Sequence, residues 1–164
     1  MRGFSNPEKA EYKLSEERYS RAVKLLKLAS TVQYTVYGVP SLYYGDEAGM
    51  EGFGDPFCRM PYPWGRENEE LLEHYKALGR IRESESVLKN GDFRGEVIGE
   101  NTFMFRRTAE VKRGKKEKLT VIACRAPEGV FVSLDGRYKE LLSGEEYSGG
   151  VFVPADTAVI LKKM

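Results

Sequence analysis

Gly38-Val39-Pro40-Ser41-Leu42-Tyr43-Tyr44-Gly45-Asp46-Glu47-Ala48-Gly49-Met50, followed by Asp55-Pro56-Phe57-Cys58-Arg59 and Tyr62-Pro63-Trp64-Gly65, is the stretch on which the reading of this chain turns. Gly38 suits the left-handed end of a preceding helix, Pro40 cannot continue that helix, and the apolar and aromatic run Ser41 to Tyr44 is expected as a short strand. Asp46 and Glu47 stand at its carboxyl end. The Gly- and Pro-rich loop that follows, about two dozen residues, is longer than a mere connection requires. Upstream, Tyr19, Val23, Leu26, Ala29 and Val32 belong to a wide apolar stripe, which predicts a helix from Ser15 to Val36 with neighbours on more than one side. Downstream, Asn68 is expected to cap a second helix, with Glu69 and Glu70 at its positive end and Leu71, Leu72, Tyr75, Leu78 and Ile81 facing inward. Residues 1–85 therefore read helix, strand, helix.

Beyond Ser86 the apolar period shifts from 3.6 to 2. Strands are expected around Phe103 and Phe105, then at Leu119 to Ala123, Val130 to Leu134, Tyr138 to Leu142, Val151 to Val153 and Ala158 to Leu161, with turns at Asn90-Gly91, Asp135-Gly136 and Ser143-Gly144. Short strands at such spacing predict an antiparallel β-sandwich over residues 86–164. Phe103, Phe105, Phe131 and Phe152 alternate with polar residues as core positions do, so they are read as packing and not as a platform for a ligand.

Composition excludes more than it selects. Among 164 residues, 26 Lys and Arg face 25 Asp and Glu, and the net charge of +1 gives no field that would recruit nucleic acid or an anionic membrane. The one basic cluster, Lys112-Arg113-Gly114-Lys115-Lys116, falls between two strand-like segments and is expected at a solvated hairpin tip. With 41% hydrophobic residues the chain has enough apolar matter for a core. The first residues lack the apolar run of a signal peptide, so a cytoplasmic protein is expected. Cys58 and Cys124 lack metal-ligand spacing and are expected as two reduced thiols. No Asp-x-Asp-type calcium loop is present, and neither metal nor organic cofactor is expected.

These residues resemble the α-amylase family of glycoside hydrolases. Gly38 to Gly65 looks like the eighth barrel strand and the loop after it, and the Asp-Pro-Phe-x-Arg and Tyr-Pro-Trp-Gly elements are most similar to the neopullulanase, cyclomaltodextrinase and maltogenic amylase branch. The fold class implied is α+β: the last helix-strand-helix portion of a (β/α)8 barrel followed by an antiparallel β-sandwich domain. Strand ends at the carboxyl side of such a barrel carry its active site, so Asp, Glu, Arg and Trp here belong beside substrate. Cys58 and Met60 depart from the polar residue and the second Arg common at those positions in related sequences.

Catalysis in the resembling enzymes uses an aspartate nucleophile, a glutamate acid/base and a second aspartate, all on earlier strands. None of those motifs occurs in these 164 residues. The only histidine, His74, lies within the predicted second helix and is expected as a packing residue. Asp46 and Glu47, adjacent on leaving a strand, point to opposite sides and make a poor catalytic pair, which requires two carboxyls about 5 Å apart. A supporting role is expected instead, with one of them bonding backbone or Arg groups at the barrel mouth. Asp55 and Arg59 offer acceptor and donors in the geometry that vicinal sugar hydroxyls require; the alternative is an ion pair that closes the loop. Trp64 is either a stacking face for a glucose ring or a residue that packs the loop.

The chain is thus expected to be a carboxyl-terminal portion of a retaining α-glucan hydrolase acting on maltooligosaccharides, cyclodextrins or pullulan, and to be inactive alone. Its partners would be an α-glucan oligosaccharide in the intact enzyme and either a second copy or the missing barrel half; no nucleic acid or membrane is expected. The competing class is a non-catalytic β-sandwich module or subunit that packs on, or completes, a partner glycosidase chain.

Overall fold

The computed structural model describes residues 3–164. Four helices come first: α1 (Asn6–Glu11), α2 (Glu16–Thr35), α3 (Glu69–Ser84) and α4 (Ser86–Asn90). Six strands follow, namely β1 (Asp92–Gly99), β2 (Thr102–Lys112), β3 (Lys115–Cys124), β4 (Val130–Glu140), β5 (Glu146–Val153) and β6 (Thr157–Lys163). The two long helices start where their caps dictate. The Ser15 hydroxyl accepts from Arg18 N, and Asn68 Oδ1 accepts from Leu71 N at 3.0 Å. These bonds satisfy amides that a helix start leaves without partners. Helix α2 stops one residue short of Val36, whose N–H closes the last turn on Val32 O.

The two helices lie against each other. Tyr34 meets Tyr75 edge to face at 5.9 Å, Lys27 Nζ reaches Glu70 Oε1 at 2.7 Å, and Leu71, Tyr75, Leu78 and Ile81 of α3 are buried. His74 packs at the same contact, as expected. Its Nε2 lies 3.2 Å from Lys27 O and Ser30 Oγ and 3.3 Å from Thr31 Oγ1, and burial lowers its pKa to about 4.

All strand pairs are antiparallel, and they form a single sheet of order β1-β2-β3-β6-β4-β5. Two separate sheets were expected. One sheet suffices because it coils: Met104 and Ile122 from β2 and β3 share a core with Val132, Tyr138, Val151 and Val153 from β4 and β5. The opposite face, carrying Phe105, Leu119, Val121 and Ile160, packs under Leu78, Ile81, Val87 and Leu88 of α3 and α4. The β2–β3 hairpin turns at Arg113-Gly114, so the basic cluster stands at a hairpin tip.

Several expectations are corrected. Ser41 to Tyr43 belong to no described strand, Tyr44 opens a turn, and Leu42, Tyr43 and Tyr44 are exposed; a strand needs a ladder partner, which local propensity cannot supply. The Asp135-Gly136 pair is not a hairpin turn. It sits inside β4, where the register against β5 shifts between Ser133 and Arg137 and Gly136 takes φ 98°, so two expected strands are one strand with a bulge. Asn90-Gly91 ends α4, with Gly91 N bonded to Val87 O, and strand β1 lies where none was expected. Phe131 and Phe152 are 65% and 55% exposed, against 0% for Phe105. Alternation placed all of these rings on core positions, but the outward face of the β4–β5 edge lies beyond the cover of α3 and α4.

Helices and sheet are joined by buried charge. Arg107 of β2 is fully buried, and its guanidinium donates to Thr35 O (2.9 Å), Val36 O (3.0 Å), Gly91 O (3.0 Å) and Asp92 O (3.2 Å). The first two are the orphan carbonyls at the negative end of α2, a natural seat for a cation. Arg82 of α3 grips the same helix end through Tyr34 O and Gly38 O. Lys162 of β6 bonds both carboxylate oxygens of Glu85 at 2.8 Å.

Candidate functional site

The clamp formed by Arg82 and Arg107 fixes the point where the chain leaves α2, and the long loop 37–67 starts there. Its near end is tied down by Gln33 Nε2, which donates to Ser41 O at 2.6 Å, and its far end by Asn68 N, which donates to Ala48 O at 2.9 Å. Between these ties, Gly49 adopts φ 68° and lies so close to Tyr19 Oη that a Cβ there would approach it to 2.4 Å. Tyr19 Oη donates to Gly49 O and accepts from Asn68 Nδ2. The acidic turn is thereby held against both helices.

Asp46 and Glu47 occupy a turn, not the end of a ladder-paired strand. Gly45 N donates to Glu47 Oε2 at 3.0 Å, so Glu47 bonds the loop backbone. Asp46 is half-buried, and burial, reinforced by the Glu47 charge, raises its carboxyl above the usual range. Tyrosines surround the pair. Burial first, and the Asp46 charge second, push Tyr75 up to about 12, and Tyr34 is raised by burial and then by Glu47. Both hydroxyls stay protonated at neutral pH and can act only as hydrogen-bonding groups there.

The Asp55 and Arg59 pair forms as the four-residue spacing implied, with Arg59 Nε 2.8 Å from Asp55 Oδ1. Both side chains are largely exposed, so the pair holds its geometry in contact with solvent and adds little stability. A guanidinium bound through Nε keeps its two terminal amino groups free to donate elsewhere, and the carboxylate keeps a second oxygen. Trp64 is 81% exposed, and its ring meets Tyr62 at 4.6 Å. Cys58 and Cys124 are both free thiols. No group of three His, Cys, Asp or Glu side chains among the described residues converges as a metal site, and no described helix is long and apolar enough to cross a membrane.

Two features escaped sequence reasoning. Arg107 follows Phe103 and Phe105 on the inward face of an alternating strand, and nothing in the sequence signals the helix end whose carbonyls accept its charge there. The exposure of Phe131 and Phe152 depends on where α3 and α4 stop. A cleft of about 570 Å³ also opens between α2, α3 and the β5–β6 end of the sheet, with Lys27, Glu70, Tyr147, Phe152 and Asp156 in its lining.

No protein-family profile matches the chain. Among curated proteins it is 41% identical over 142 residues to an amylopullulanase of Thermoanaerobacter thermohydrosulfuricus, covering 77% of this chain and 10% of that protein. It is 36% identical over 133 residues to neopullulanase 2 of Thermoactinomyces vulgaris, covering 75% of this chain and 22% of that protein. Among solved structures, the maltogenic amylase from S. marinus superposes with a TM-score of 0.70 at 30% identity, over 85% of this chain and 19% of the other. A pullulanase from Anoxybacillus shares the fold with a TM-score of 0.74 at 16% identity. The chain thus spans well under a third of the length of these relatives.

Proposed function

We propose, from the premise that this chain belongs to the α-amylase family of glycoside hydrolases, that it forms one wall of the substrate cleft of a retaining α-glucan hydrolase. In this reading residues 1–85 are the last portion of a (β/α)8 barrel and residues 86–164 its all-β carboxyl-terminal domain. Asp55 and Arg59 hydrogen-bond vicinal hydroxyls of maltooligosaccharides, cyclodextrins or pullulan, Trp64 stacks on a sugar ring, and Asp46 and Glu47 hold the loop. A cytoplasmic location belongs to the same proposal. The observation that carries it is the pairing of an exposed, half-engaged carboxylate and guanidinium with an exposed Trp on one clamped loop.

The three carboxylates that carry out catalysis in such enzymes come from other strands, so this chain alone is expected to hydrolyse no α-glucan. Pure protein incubated with maltooligosaccharides, cyclodextrin and pullulan tests this; turnover that disappears on Asp55 or Glu47 substitution would sink it. In the complete enzyme, Arg59→Ala removes charged hydrogen bonds worth about 1.5–3 kcal/mol, a roughly tenfold to hundredfold loss in kcat/KM. The loss is expected only for oligomers long enough to reach that subsite. Equal losses for maltotriose and longer chains, with a lowered Tm, would reduce the pair to a loop brace.

A second reading has its own support. Tyr37, Val39, Leu42, Tyr43 and Tyr44 expose apolar surface along the segment that would be a barrel strand. A chain with this surface uncovered is expected to self-associate or to bind the missing barrel half. Light scattering on the isolated chain distinguishes this from a strict monomer.

A further inference from the structure

Residues 3–14 form a short arm ahead of α2, and its contacts converge on one part of the long loop. Helix α1 has six residues, none of them buried, and a helix of that length is marginal by itself in water. Side chains on either side of it provide the anchorage. Phe4 and Tyr12 meet edge to face at 5.8 Å, and both rings close on Phe53, at 5.8 Å and 5.5 Å. Next to them Leu14 N donates to Glu51 Oε2 at 2.6 Å, and Lys13 Nζ lies 3.5 Å from Glu51 Oε1. The arm thus holds the loop at Glu51 and Phe53.

Phe53 stands two residues before Asp55, and the backbone carries its position to the ion pair. A Cβ on Gly52 would meet Cys58 Cα at 2.9 Å, so the ends of the stretch 52–58 touch. Within and just beyond it, Phe57 N donates to Gly54 O at 3.0 Å and Arg59 N to Pro56 O at 3.1 Å. A loop whose ends meet and whose turns are bonded shifts as a unit, so displacing Phe53 displaces Asp55 and Arg59 together. The pair cannot anchor itself, because both side chains are largely exposed. Its ion pair fixes the two groups relative to each other. The arm, which runs directly into α2 at Ser15, fixes them relative to the helices.

We propose that this arm is a latch, in which Phe4, Tyr12, Glu51 and Phe53 are positioning residues for the Asp55 and Arg59 pair. That the pair, once positioned, contacts an α-glucan rests on the proposed function. Thiol labelling tests the latch without sugar. The sequence has two cysteines: Cys58 lies inside the latched turn and is half-buried, whereas Cys124 is fully buried in the sheet. With dithiobis(nitrobenzoate) on the whole chain, the Cys58 rate is expected to rise about three- to tenfold in Tyr12→Ala and in Phe4→Ala, and to stay unchanged in Tyr12→Phe, which keeps the ring. Cys124 should remain unlabelled throughout, since a general loss of structure would expose both thiols. Phe4 is 44% exposed and belongs to neither core of the sheet, so Phe4→Ala decides the matter if Tyr12→Ala labels at both positions. Equal Cys58 rates in all chains overturn the latch. Quenching of the single Trp, Trp64, by maltoheptaose tests what the latch serves. Binding is expected to weaken about two- to tenfold in the two Ala variants and to be retained in Tyr12→Phe. Faster Cys58 labelling with affinity lowered only in Arg59→Ala overturns the positioning role. Faster labelling with no maltoheptaose bound to any chain upholds the latch and overturns the sugar reading of the loop.

Discussion

Replacing Arg107 by Met removes the cation that joins sheet to helix while keeping the length of the side chain. Four carbonyls lose a donor, and two of them, Thr35 O and Val36 O, are helix-end acceptors with no intrahelical partner. Hydrogen bonds to a charged donor are worth about 1.5–3 kcal/mol each, but the four share one guanidinium and do not add. The burial of that guanidinium has its own cost: desolvation, and then the neighbouring Arg82, lower the Arg107 pKa, and the Tyr37 ring at 5.8 Å offsets only part of this. The net loss expected for Arg107→Met is therefore about 3–5 kcal/mol, comparable to breaking a buried ion pair and a large share of the 5–15 kcal/mol that stabilises an ordinary domain. Urea titration followed by far-ultraviolet circular dichroism should show the midpoint falling by about 1–3 M. Arg107→Lys, with three donors and no fork, should lose about half as much. A loss below about 1 kcal/mol for Arg107→Met would refute the view that this residue joins the two parts of the fold.

Three further substitutions and one titration probe other contacts. The folded pKa of His74, about 4, lies below its ordinary value of 6.5, so the unfolded chain takes up the proton first. Stability should fall by about 1–3 kcal/mol as pH drops from 6.5 towards 4, and His74→Gln should flatten that slope in pH-dependent melting. Gly49→Ala forces a Cβ into Tyr19 Oη at a positive φ and should cost about 1–3 kcal/mol in denaturant titration; a stabilised variant would contradict the described turn. Gly150→Val should lift the Phe131 ring off the sheet, visible as a shift of its aromatic proton resonances with little change in Tm.

Much of the helical half was legible because its signals are local. Asn68 caps the helix it was expected to cap, α2 starts beside Ser15 as expected, and Leu71, Tyr75, Leu78 and Ile81 of α3 face inward as a 3.6 period implies, while Leu72 is only half-buried. The pairing of Asp55 with Arg59 was legible for the same reason, since a turn of four residues brings the two together wherever the loop points. Features set by distant neighbours were not legible. Ser41 to Tyr44 has strand composition but no described strand to pair with, Asp135-Gly136 has turn chemistry that the β5 ladder absorbs as a bulge, and Phe131 and Phe152 alternate like core residues on a face that the described residues leave largely exposed. An alternating pattern says that a strand has two faces. It does not say which one the rest of the chain will hide.

The acceptors at the joint between helices and sheet are all main-chain carbonyls: Thr35 O, Val36 O, Gly91 O and Asp92 O toward Arg107, Tyr34 O and Gly38 O toward Arg82. No point substitution deletes a carbonyl. Replacement at Val36 or Asp92 leaves the joint its acceptors, whereas Gly91 has no room for a Cβ, which would meet Val87 O at 2.4 Å, Gly38 takes φ 108°, Thr35 is buried and Tyr34 packs on Tyr75. The two arginines have no such freedom, because a planar fork reaching several oxygens at once has no substitute among the other side chains. Mutational scanning across this region should therefore find the two donors intolerant of every replacement, and the acceptor positions intolerant only where packing or backbone angle forbids the new side chain.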